Sequence, residues 1–135
     1  MLAISLYQPW ASLVVCRYKR IETRSWRHSY RGDLLIHAAK RPYRAFLNDP
    51  ELSLACNELG LDTADLPTGA LIGQCRLVDI STTDSVCAIV RLVEGRIGDF
   101  SPGRFAWHLA DAFAFENPIP YVGRQRLFSV PWLTL

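Results

Sequence analysis

The chain has 135 residues, 50% of them apolar and 21% charged, with a formal net charge of +2. Length and apolar content fit one domain over residues 1–135, with a core that needs no disulfide staples. No stretch approaches the roughly 18 apolar residues of a membrane span, and the start, Met1-Leu2-Ala3-Ile4-Ser5-Leu6, lacks the basic opening of a secretion signal.

Four cysteines (Cys16, Cys56, Cys75, Cys87) and three histidines (His28, His37, His108) are scattered, without a C-x-x-C pair. No metal site is expected from such spacing, and the thiols read as small apolar residues of a reduced, cytoplasmic protein. The small net charge hides an uneven distribution. Residues 1–44 carry +7, residues 45–100 carry −6, and residues 101–135 carry +1. A basic face from the N-terminal third would suit an anionic partner.

Residues 2–7 alternate as a first strand. Trp10, Leu13 and Val14 then fall at helical spacing, so residues 9–17 read as a short helix with Pro9 at its first position. Arg20 to Trp26 reads as a strand with Arg20, Glu22, Arg24 and Trp26 on one side and Ile21, Thr23 and Ser25 on the other. Asp33 to Ala39 is an apolar strand, with Leu34, Ile36 and Ala38 on one face and Leu35 and His37 on the other. His37, inside that strand, is expected to be a buried, hydrogen-bonded histidine.

The clearest helix is 50–59. Asp49 suits the N-cap, Pro50 the first position and Glu51 the first turn; Leu52, Ala55, Cys56 and Leu59 make its apolar stripe, and Gly60 fits just past the end. Ala70 to Ile80 follows as a long strand. Asp84 then caps a segment whose Val86, Ile89, Val90 and Val93 share a helical face, ending at Gly95. Gly95 to Gly103 is a loop, Phe105 to Phe115 a strand, Pro118-Ile119-Pro120 a rigid turn, and Arg126 to Val130 the last strand. Short strands with two or three brief helices, and no βαβ rhythm, predict an α+β fold: a small mixed or antiparallel β-barrel.

The densest chemistry lies in Lys19-Arg20-Ile21-Glu22-Thr23-Arg24-Ser25-Trp26. Lys19-x-x-Glu22-x-Arg24 resembles the G-x-K-x-x-E-x-R signature of the ASCH domain, a relative of the PUA domain. The likeness extends through Gln8-Pro9-Trp10-Ala11, Tyr30-Arg31-Gly32, Ile36-His37-Ala38, Pro102-Gly103-Arg104-Phe105-Ala106-Trp107-His108-Leu109 and Pro118-Ile119-Pro120. One departure stands out: Arg17 occupies the position of the signature's glycine. The resemblance implies a PUA-like barrel with a cleft lined by Lys19, Glu22 and Arg24. It also implies binding of RNA or other nucleic acid, whereas some small members look like hydrolases of acylated cytidine or nucleases.

The expected partner is therefore single-stranded RNA, another nucleic acid, or a nucleotide or nucleoside, with no cofactor and no membrane. Lys19 and Arg24 suit phosphate or carboxylate, Arg24 through its two-pronged guanidinium. Glu22 suits the exocyclic amine of a base. Trp10, Trp26 and Tyr30 are candidates to stack on bases, although a Trp on an amphipathic helix is more often core. Gln8, Arg17, Arg31 and Lys40 complete the ligand-binding set. If the protein is an enzyme, Lys19 and Glu22 are its catalytic candidates. In the amidohydrolase members a threonine stands where this chain has Glu22, and Thr23 faces the other way on a strand.

Overall fold

Period-two apolar patterning produces the strands, and pairing register sorts their faces. The computed structural model describes residues 1–131. In it, β1 (Leu2–Leu6) and β3 (Gly32–Ala38) lie parallel, with Ile4 opposite Ile36 and Ser5 opposite His37. All other pairs are antiparallel: β3 with β4 (Ala70–Thr82), β4 with β5 (Phe105–Pro120), β5 with β2 (Ile21–Arg24), and β1 with β6 (Phe128–Ser129). One mixed sheet results, in the order β2-β5-β4-β3-β1-β6. With α1 (Trp10–Val15), α2 (Pro50–Glu58) and α3 (Ala88–Glu94), the class is α+β, as expected.

The sheet is barrel-like but does not close. Among the described residues β2 and β6 remain edges that do not pair with each other. Three register shifts interrupt the ladder between β4 and β5, where extra residues on one strand bend it.

Alternation along β3 does what the sequence predicts. Leu34, Ile36 and Ala38 join Ile4, Leu6, Val14, Val15 and Trp107 in the main core, while Leu35 packs on the other face with Ala3, Leu71, Phe128 and Val130. Helix α1 sits so close to the sheet that a Cβ at Gly73 would lie 2.5 Å from Val15 Cγ1, besides meeting the Phe113 carbonyl oxygen of β5. Burial drives the Cys75 thiol up to about 12, so it stays protonated in this core.

The helix ends explain themselves locally. The Asp49 carboxylate accepts from the Glu51 N–H at 2.9 Å, and Gly60, at φ 67°, closes α2 by donating to Asn57 while Leu61 donates to Cys56. Helix α1 ends in the same motif: Arg17 donates to Val14 and Tyr18 to Leu13. Arg17 therefore adopts φ 64°, in the left-handed region a glycine would occupy without steric penalty. Its Nε, hydrogen-bonded to the Ala112 carbonyl, helps hold it there. Pro9 is the N-cap of α1 rather than its first residue.

Two predicted elements differ. Pro118 to Pro120 is not a turn but the end of β5, with Pro120 opposite Ala70 and Ile119 opposite Leu71. Proline is tolerated there because β2 pairs only with residues 105–108, leaving that stretch of β5 with one free edge. Helix α3 forms, but Cys87 rather than Asp84 is its N-cap, and its apolar face points outward: Ile89 is 77% exposed and Leu92 68%. Only Glu94 of α3 is buried. Its carboxylate accepts from the main-chain N–H groups of Arg20 (3.2 and 3.3 Å) and Ile21 (3.0 Å), and so anchors the start of β2.

Two substitutions test this framework. Gly73→Ala should destabilise the fold by about 1–3 kcal/mol through overpacking, and an unchanged urea midpoint would refute the tight α1–sheet approach. Glu94→Ala should cost about 1–3 kcal/mol by stranding the buried Ile21 N–H and releasing that of Arg20, with part of that recovered in Glu94→Gln, which keeps an acceptor oxygen. Equal stability of Glu94→Ala and the parent in the same titration would show that the anchor contributes nothing.

A cationic cleft as the candidate functional site

The end of α1 delivers Lys19 to the interior: its main-chain N–H donates to Leu13 at 3.0 Å, and its side chain is wholly shielded from solvent. Inside, Nζ donates to the Ile21 carbonyl and stands 3.7 Å from Glu22 Oε1. A Cβ at Gly98 would come within 3.1 Å of Nζ, so the loop after α3 closes directly over the ammonium. Glu22 and Arg24 follow at alternate positions of the edge strand β2. Glu22 Oε2 is 3.2 Å from Arg24 Nη2, which also donates to the Ser5 carbonyl at 2.9 Å. Arg24 Nε is buried and has no hydrogen-bond partner among the described residues.

These residues open into a cleft of about 1580 Å³. Its lining contains eight cationic side chains against three carboxylates, so its formal charge is far more positive than that of the chain. Lys19 and Arg24 come from the β2 region, Lys40 and Arg41 from the link after β3, and Arg96 and Arg104 from the loop between α3 and β5. Arg124 and Arg126 come from the segment before β6. The carboxylates are Glu22, Asp49 and Asp99. Asp99 is held below the usual carboxylate range, first by hydrogen bonds from Ser101 and then by nearby Arg104, 3.5 Å away.

Six of the nine residues chosen from sequence for binding border this cleft: Trp10, Lys19, Glu22, Arg24, Trp26 and Lys40. Trp10 is half-buried; its Nε1 donates to the Ile97 carbonyl at 2.6 Å, and its ring meets Phe46 edge-on at 4.8 Å. Trp26 lies beyond the end of β2, edge-on to Trp107 at 4.8 Å, with the Arg126 guanidinium 4.9 Å from its ring centre.

Three lie outside it. Gln8 is buried, accepting from the Ser12 N–H and donating to the Pro67 carbonyl at 2.8 Å, so its amide is consumed in starting α1. Arg17 reaches the Ala112 carbonyl, and Arg31 binds the carbonyls of His28 and Tyr30 beside Asp79. Tyr30, the third aromatic stacking candidate, is not in the lining either; its hydroxyl donates to the Asp33 carbonyl at 2.5 Å. Thr23 is buried as strand alternation requires, yet it still borders the cleft because β2 is an edge.

Sequence reading missed Arg41, Arg96, Arg104, Arg124, Arg126 and Tyr7. The only available signal was composition, since Arg124 and Arg126 flank Gln125 in a short basic run. No group of three or more metal-ligating side chains occurs among the described residues. No described helix is long and apolar enough to cross a membrane.

Comparison with known proteins agrees with this geometry. The ASCH domain family matches residues 4–119. Human and mouse activating signal cointegrator 1 are each 39% identical over 80 residues, covering 56% of this chain but only 14% of those longer proteins. The crystal structure of ASCH from Zymomonas mobilis superimposes with a TM-score of 0.58 at 17% identity, covering 98% of this chain and 87% of that one. A single-site mutant of it gives 0.57 at the same identity, with 98% and 89% covered. At that identity the structures show the fold, and the family match carries the assignment: this chain belongs to the ASCH domain family.

Proposed function

We propose that the cleft binds single-stranded nucleic acid, RNA foremost, with phosphates on its cationic wall and a base near Lys19, Glu22 and Arg24. The observation carrying this reading is the eight-to-three excess of cations over carboxylates in a cleft that also exposes Tyr7, Trp10 and Trp26. Cations that follow a backbone, interleaved with aromatic faces, are the usual means of holding unpaired strands. Lys40, Arg41, Arg96, Arg124 and Arg126 are exposed and supply phosphate contacts. Glu22, held between the buried Lys19 and Arg24, accepts from an exocyclic amine while Arg24, which is partly exposed, donates to a ring nitrogen or carbonyl. The likeness to activating signal cointegrator 1 covers only a small part of that protein, so the support rests on the cleft's chemistry.

A hydrolytic role for Lys19 and Glu22 is the second reading. Favouring it is the buried ammonium 3.7 Å from a carboxylate that borders the cleft. In that case Glu22 would take a proton from water, with the shielded Lys19 ammonium holding the carboxylate in place.

Anisotropy of a labelled single-stranded RNA across a salt series tests the first reading. For single strands the slope of log K against log salt is about −0.7 per phosphate neutralised. Lys40→Ala combined with Arg41→Ala should therefore flatten the slope by about 1.4, whereas Arg31→Ala, outside the cleft, leaves it unchanged. Salt-insensitive binding, or an equal loss in Arg31→Ala, overturns the proposal. Shortening of the RNA during the assay, abolished by Glu22→Gln, would favour the hydrolytic reading.

A further inference from the structure

Ser5 and His37 face each other across the parallel β1–β3 pair, and both border the cleft. His37 Nε2 lies 2.7 Å from the Tyr121 carbonyl oxygen. A carbonyl can only accept, so that nitrogen carries the ring proton. In the neutral imidazole, Nδ1 is then a bare acceptor, and it stands 2.9 Å from Ser5 Oγ. The serine hydroxyl therefore donates to the ring. Burial holds His37 below its ordinary range, which favours this neutral, proton-accepting form.

The ring is fixed as well as neutral. A Cβ at Gly123 would lie 2.5 Å from His37 Cε1 and 2.7 Å from Nδ1, so only glycine lets the chain cross here. Phe128 packs edge-on to the imidazole at 5.9 Å. Arg24 completes the group: Nη2 is tethered to the carbonyl of Ser5 itself, and the side chain, 26% exposed, borders the same cleft. Nucleophile, oriented base and a cationic donor thus converge on one wall of the cleft, in the relation that activates a serine.

We propose that Ser5 and His37 form a nucleophile–base pair that hydrolyses carboxylic esters of a phosphate-bearing alcohol. Ser5 Oγ bonds to the ester carbonyl carbon as its proton passes to His37 Nδ1, and the carbonyl electron pair moves to oxygen. Arg24 stabilises that oxyanion. Collapse breaks the ester C–O bond, His37 returns its proton to the departing alcohol, and the acyl group remains on Ser5. Water, giving a proton to His37, attacks the acyl carbonyl carbon; the bond from that carbon to Ser5 Oγ then breaks, His37 returns the proton to Oγ, and the carboxylic acid leaves. The Tyr121 carbonyl holds the imidazole in the required tautomer throughout. The choice of a phosphate-bearing alcohol rests on the same cationic wall as the nucleic-acid reading; the reactivity of the pair does not.

The test uses a fluorophosphonate probe read by peptide mass, together with hydrolysis of 2′(3′)-O-acetyl-adenosine 5′-monophosphate. One probe adduct on Ser5 is expected, and ester turnover should disappear in Ser5→Ala. His37→Gln keeps a donor and an acceptor for its neighbours, so circular dichroism should be unchanged while labelling slows at least about 100-fold, as expected on losing a general base. Should Ser5→Ala fail to fold, Ser5→Cys serves instead: iodoacetamide should alkylate position 5 faster than exposed Cys87, and His37→Gln should remove that advantage. Absence of a Ser5 adduct in the folded protein, or labelling indifferent to His37→Gln, overturns the proposal. Ester hydrolysis that survives Ser5→Ala does so too. RNA affinity is measured separately, so either reading can fail alone.

Discussion

Lys19 places an ammonium where no water reaches it, and the surrounding chain is arranged to supply acceptors for it. Taking such a group out of water costs several kcal/mol unless partners wait in good geometry. They are the Ile21 carbonyl and, at 3.7 Å, the Glu22 carboxylate. Both exist only if β2 begins where it does, and Glu94 fixes that beginning by binding two successive N–H groups. This accounts for α3, a helix whose apolar side faces solvent and whose last residue is its buried one. The loop that follows closes over the ammonium at Gly98, supplies the Ile97 carbonyl to Trp10, and packs Ile97 against Leu13 and Leu52. One buried cation thus ties the first helix, the edge strand and a loop some 80 residues away into a single unit.

What the sequence revealed follows the range of the interactions. Helix α2 was legible to its caps because Asp49, Pro50 and Gly60 act on their own neighbours. Strand β3 was legible because alternation is local and both its faces are buried. The outward turn of α3 was not, since the reason lies in a carboxylate reaching back to residues 20 and 21. Pro118 and Pro120 looked like a turn because nothing local announces that the neighbouring strand has already ended. Arg17 is an intermediate case. Its departure from the glycine pattern was visible, but what it does to the turn was not. The structure keeps the left-handed turn and spends the side chain on a distant carbonyl instead of the cleft.

The cleft's charge shows the same dependence on long range. The N-terminal third was expected to form the basic face, and Lys19, Arg24, Lys40 and Arg41 do line the cleft. As many cations come from residues 96 to 126, however, although residues 45–100 are acidic in sum. Folding concentrates positive charge in one concavity and leaves most carboxylates elsewhere. A chain of net charge +2 can therefore present a strongly cationic cleft, where low-dielectric walls keep the field from being screened as it would be on an open surface.

Arg24 is where the two halves of the cleft meet. Its guanidinium pairs with Glu22 on one side and donates to the Ser5 carbonyl on the other, spanning the space between the edge strand β2 and β1, which do not pair with each other. β2 lies at one end of the sheet, and β1 is covered only by the two-residue β6 at the other. The sheet does not close by backbone hydrogen bonds, so a side chain bridges the gap, and its planar fork leaves N–H groups over. An arginine suits this better than a lysine, which would offer a single rotating ammonium where a fixed, two-sided donor is needed. The same residue thus braces the open side of the fold while its partly exposed side chain borders the cleft.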